Sequence, residues 1–125
     1  MQFKKKKLRD EFLLLKLKAK LLMYLADWTS YLLFGKFIIV TEILYQGGTG
    51  VHGDKRAFDI RTKDYYTDDQ TEIFKDTINR YWVYDPERPN KKTCVRHKVE
   101  EKDVGKYQIP EFVPEDHLHF QVWIK

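Results

Sequence analysis

The spacing of apolar residues changes along this chain, and the change limits what it can fold into. Over residues 4–27, Leu8, Phe12, Leu15, Ala19 and Leu22 can share one helical face, with Leu14, Leu17, Leu21 and Leu25 beside it. Gly35 can stop that helix, and residues 37–45 are rich in β-formers, which predicts a buried strand. "RAFDIR", 56–61, alternates and predicts a second strand. "TDDQTEIFKDTINRYWVY" predicts a helix: Thr67 and Gln70 fit a capping box, and Asp68 and Asp69 suit the positive end of the helix dipole. Phe74, Ile78, Tyr81 and Trp82 make its apolar face, and the prolines of "YDPERPN" end it. "TCVRHKV", 93–99, predicts a short strand, residues 100–116 a proline-bearing polar loop, and "HLHFQVWIK", 117–125, a closing strand. The sum is an α+β fold: a mainly antiparallel sheet with helices on one side.

At 125 residues the chain suits a single domain, able to bury one core without a disulfide or metal. The only cysteine, Cys94, rules out an internal disulfide and a cysteine-based zinc cluster, and fits a reducing compartment and a small core residue. Charge is uneven. Residues 1–22 hold eight Lys or Arg against Asp10 and Glu11, a local +6, whereas the whole chain carries +4, so the rest is −2. The basic excess therefore belongs to an N-terminal helix, within residues 1–30, in front of the body. Lys16, Lys18 and Lys20 interrupt its apolar run, which argues against a signal peptide and a membrane span. The expectation is a protein that is cytoplasmic as synthesised.

The chemistry centres on the four histidines, His52, His97, His117 and His119. Residues two apart on a strand point to one face, so His117 and His119 can converge. His52 and Asp59 flank a short bend, "HGDKRAFD". Together with one C-terminal histidine they make a two-His, one-carboxylate set. Zinc accepts such a set, and three protein ligands with a fourth position left open define a catalytic site. Asp116 and His117 are candidates to take a proton from water and pass it to a leaving amine. Each pairing alone arises often by chance; their combination, at strand edges, is what points to a metal.

"GVHGDKRAFDI" followed by "EDHLHFQVW" resembles the zinc peptidase superfamily of D-Ala-D-Ala carboxypeptidases, L-alanyl-D-glutamate endopeptidases and hedgehog-type domains, and is similar above all to its small phage and bacterial members. "INRYWVYDPERP" and "VRH" add to the likeness, which covers about residues 37–125 and leaves the basic helix outside it. The resemblance implies a hedgehog/D-Ala-D-Ala-peptidase-like fold, with Zn2+ on His52, Asp59 and His119. It implies proton transfer by Asp116, with His117 steadying the oxyanion or sharing that role. Gly50 stands where the family usually has serine, and Lys55 where it usually has a glycine that permits a tight turn; Gly53 is an alternative source of that turn.

His97 either lines the cleft, on a strand neighbouring the last one, or is structural. Arg56 can bind a substrate carboxylate, although alternation turns it away from the Ala57/Asp59 face. The implied activity is hydrolysis of short D-amino-acid-containing peptides of bacterial cell wall, endolysin-like or carboxypeptidase-like, as in a phage protein acting on a host wall. The residues leave carboxypeptidase and endopeptidase action both open. The rival readings are an inactive, metal-stabilised binding or phage structural module, and a basic helix that binds an anionic wall polymer. Basic charge without interleaved aromatics is a weak signal for nucleic acid.

Overall fold

The computed structural model describes residues 1–44, 54–98 and 116–124. The chain begins with a two-residue strand β1 (Gln2–Phe3), then helices α1 (Lys7–Leu14) and α2 (Leu17–Phe34). Strands β2 (Ile39–Glu42) and β3 (Ala57–Arg61) follow, then helix α3 (Asp68–Tyr81) and strands β4 (Cys94–His97) and β5 (His117–Gln121). The strands form one sheet in the order β1-β2-β3-β5-β4. The β1–β2 pair is parallel and the other three are antiparallel, so the fold is α+β on a mixed, mostly antiparallel sheet. No helix among the described residues is long and apolar enough to cross a membrane.

The expected single helix over residues 4–27 is two helices. Leu15 and Lys16 are extended (ψ 144° and 146°), and the amide of Lys16 donates to the carbonyl of Lys55 at 2.9 Å rather than to its own helix. A tertiary bond to the turn before β3 thus breaks a run that local propensity would continue. Helix α2 runs beyond residue 27 and stops at Gly35, whose φ of 69° is the left-handed conformation that costs glycine no Cβ clash. Helix α3 starts as expected: the Thr67 side chain accepts from the Gln70 amide while Gln70 Oε1 accepts from the Thr67 amide.

The packed side of the sheet carries Val40, Phe58, Ile60, Leu118 and Phe120, all fully buried. Phe58 and Phe120 stack nearly parallel at 4.8 Å, and Phe74 of α3 meets Phe120 at 5.9 Å and 60°. Such aromatic pairs contribute ~0.5–1.5 kcal/mol beyond the area they bury. The N-terminal helices belong to this same core through Leu8, Leu15, Ala19, Leu22, Met23 and Ala26. Cys94 also lies in it, and burial pushes its thiol well above the ordinary range. The pleat that sends Phe58 and Phe120 inward sends their odd-numbered neighbours to the opposite side, and that is where the histidines are.

Candidate metal centre

On that second side the register of three adjacent strands sets the geometry. Asp59 of β3 lies opposite His119 of β5, and His117 lies opposite His97 of β4. Asp59 is only 2% exposed, so its carboxylate needs partners to offset lost hydration. It has them: Oδ1 is 2.9 Å from His119 Nδ1, and Oδ2 is 3.6 Å from His117 Nε2. The His97 ring lies 5.1 Å from that of His117 and 5.7 Å from that of His119. The strand of His97 does neighbour the last one, as expected.

Gln121, next on the same face of β5, completes the arrangement. Its Nε2 donates to the Lys92 carbonyl at 2.9 Å, and only an N–H can face that oxygen. The amide is thereby oriented with Oε1 toward His119 Nε2, 3.1 Å away, so Nε2 carries the hydrogen. The lone pair of His119 is left to Nδ1, which faces the Asp59 carboxylate. Two electron-rich atoms at this distance need positive charge between them, supplied by a proton or by a metal ion.

Asp59 and His119 are donor types that zinc accepts. Ligands at ~2.0–2.1 Å in a tetrahedron stand ~3.3 Å apart, and the 2.9 Å between Asp59 Oδ1 and His119 Nδ1 is somewhat shorter than that spacing. A ligating imidazole whose other nitrogen donates to a fixed acceptor is the usual supported form, and Gln121 supplies that acceptor. Among the described residues no three His, Cys, Asp or Glu side chains enclose an ion by themselves. The third expected ligand, His52, lies outside the described residues, as do Gly50 and Gly53 and residues 100–115 of the expected loop.

Two other candidates stand elsewhere. Asp116, a candidate for proton transfer, has its Oδ2 accepting from Arg96 at 3.0 Å. Arg96 also donates to Asp68 and Glu72 of α3, so Asp116 is held by a cation three carboxylates share. Thr62 Oγ1 donates to the Asp116 carbonyl at 2.9 Å and fixes the backbone as well. Residue 116 itself is a bend just before β5. Arg56 is also away from the cluster. It donates to Asp54, to the Tyr84 hydroxyl and to the Val122 carbonyl, with Trp123 beside it. Two open concavities, of about 190 and 630 Å³, flank Tyr84 and do not border the histidines.

Two residues that matter here were absent from the sequence expectations. Gln121 was legible in principle, because His117, His119 and Gln121 follow a period of two. Arg96 was not, because its partners come from a helix and from another strand. The turn before β3 carries one more observation: Lys55 has φ of 62°, a left-handed conformation rare for a side chain of its size. It stands at the position where the resembled family usually has glycine. Comparison of the chain with protein-family profiles, with characterised proteins and with solved structures found no match to any of them.

Proposed function

We propose that this chain is a zinc-dependent peptidase of the D-Ala-D-Ala-peptidase and hedgehog-type superfamily, acting on short D-amino-acid-containing peptides of bacterial cell wall. The observation that carries the reading is the buried Asp59 carboxylate set against His119 Nδ1, with Gln121 fixing the ring. The left-handed Lys55 supports it from a second direction, since a turn built for glycine is what the resemblance implies there.

Asp59 and His119, with His52, would hold the zinc, which when bound lowers the pKa of water toward ~7 and polarises a carbonyl. His117 is the group beside them that can move a proton. Its Nε2 lies 3.6 Å from Asp59 Oδ2, on the same face as His119. In peptide hydrolysis it would accept a proton at Nε2 as water adds to the carbonyl carbon. It would then give that proton to the amine as the C–N bond breaks. Asp116 takes no part in this scheme; its pairing with Arg96 leaves it to anchor the start of β5.

The test combines elemental analysis with muropeptide cleavage. Wild-type protein should hold about one zinc per chain, and His119→Ala should lose it. His117→Ala should keep zinc and lose roughly 10²–10⁴-fold in hydrolysis, while Asp116→Asn should cleave within a few-fold of wild type. Full zinc occupancy in His119→Ala would sink the ligand assignment. Zinc without any cleavage by wild type would leave a metal-stabilised binding module.

A further inference from the structure

Helix α2 is apolar on two sides, and only one of them is packed. Ala19, Leu22, Met23 and Ala26 are buried in the core. Leu17, Leu21, Tyr24, Trp28, Tyr31 and Leu32 are 72, 53, 56, 56, 43 and 65% exposed. At 100° per residue those six fall within an arc of about 100°. The arc contains no charged residue, and Phe37 extends it: the Trp28, Tyr31 and Phe37 rings stack in series at 5.8 and 4.9 Å. A helix apolar all round is normally enclosed, and a contiguous exposed patch of this kind marks a docking surface.

Its borders say what docks. Lys16, Lys18 and Lys20 flank the N-terminal end of the arc, and α1 abuts it where Phe12 meets Tyr24 edge-on at 6.0 Å. Lys4, Lys6, Lys7 and Arg9 at the start of α1 are exposed, with no salt-bridge partner among the described residues. An apolar arc rich in Leu, Trp and Tyr beside clustered Lys and Arg is the composition of a helix lying in a bilayer interface. Aromatic rings with polar atoms suit the headgroup boundary, and anionic headgroups attract the basic cluster. A second copy of the chain fits less well, because it would bring one +6 segment against another.

We infer that the outer face of α2, with the basic start of α1, docks this protein onto an anionic phospholipid surface without spanning it. This surface is independent of the histidine site and of the peptidase reading.

Vesicle flotation of the full chain tests it. Vesicles of phosphatidylglycerol and phosphatidylcholine should carry the protein; phosphatidylcholine alone should bind at least tenfold less, and raised salt should weaken the anionic case. Each neutralised basic residue should weaken binding about fivefold, so Lys4→Gln, Lys6→Gln, Lys7→Gln and Arg9→Gln together should lower it on the order of a hundredfold or more. Leu21→Ser with Trp28→Ser should abolish binding while the circular dichroism stays that of wild type. Should that variant fail to fold, brominated lipids must quench wild-type emission more than that of Trp28→Phe. Equal binding to both vesicle types, or unchanged quenching in Trp28→Phe, overturns the inference. So does a wild-type dimer in light scattering that Leu21→Ser with Trp28→Ser dissolves, since a second copy would then cover the face.

Discussion

The two faces of the sheet solve the same electrostatic problem in opposite ways. On one face Asp116 is neutralised by Arg96, a guanidinium that keeps its charge at any pH the fold survives. On the other face Asp59 is set against two imidazoles, which can give up a proton or a lone pair. A carboxylate held by a permanent cation is structural, because its counter-ion does not change state. A carboxylate held by histidines sits among groups that can exchange what they carry. His117 directly follows Asp116 in the chain, and Leu118 and Phe120 of β5 are buried in the core.

If the faces are independent, packing lesions should leave metal binding alone. Phe120→Ala removes the stack on Phe58 and the edge contact with Phe74, and should cost about 3–5 kcal/mol in a urea melt. Its folded fraction should still bind zinc with near wild-type affinity; a parallel collapse of affinity would break the comparison. Arg96→Leu should cost about 2–3 kcal/mol, because it strands the Asp116 carboxylate. Adding Asp116→Asn should recover part of that loss, and zinc affinity should stay unchanged throughout. On the other face, Gln121→Leu should weaken zinc binding about 10–100-fold, some 1.4–2.8 kcal/mol, and should also cost about 1–3 kcal/mol of apo stability through the two bonds it loses. Gln121→Glu keeps an acceptor for the His119 Nε2–H but sets an oxygen against the Lys92 carbonyl, so it should restore only part of the affinity; binding no better than that of Gln121→Leu would count against the role given to that acceptor. Lys55→Gly relieves the left-handed turn entering β3 and should raise stability by about 1 kcal/mol, on both faces alike, without touching zinc affinity.

The smallest effect is a matter of pH. Hydrogen bonds from Arg96 hold Asp68 below its ordinary range, and those from Lys75 and then Arg96 do so for Glu72. A folded pKa below the unfolded one means a contribution present above the unfolded value and lost as pH falls through the folded one. Arg96→Leu should therefore shrink the acid-side loss of stability. An unchanged acid limb in pH-dependent melts would place the anchoring elsewhere.

Local signals in the sequence carry through to the structure where only near neighbours decide. The capping box at Thr67 and Gln70, the stop at Gly35 and the period-two strands all depend on neighbours within a few residues. The alternation of 117–121 likewise fixed which side chains share a face with His119. What escaped were choices made by distant partners. No feature of "LLLKLK" announces that Lys16 will bond the Lys55 carbonyl, and β1 is hidden in a two-residue stretch before a lysine run. The face of Asp116 was likewise decided by Arg96, twenty positions away. Part of the candidate site, His52 above all, lies outside the described residues, so its share of the geometry stays with the resemblance.

The parallel pairing of Gln2 and Phe3 with Ile39 and Val40 changes what can be cut from this molecule. The peptidase resemblance drawn from the sequence leaves the basic front outside it, which invites treating that front as a detachable cassette. Yet Gln2 and Lys4 donate to the carbonyls of Ile38 and Val40, and Leu8, Leu15, Ala19, Leu22, Met23 and Ala26 belong to the core shared with Phe58. A fragment begun at Ile38 would shed an edge of its sheet and uncover the underside of its middle strands. Grafting this front onto another enzyme would fail for the same reason.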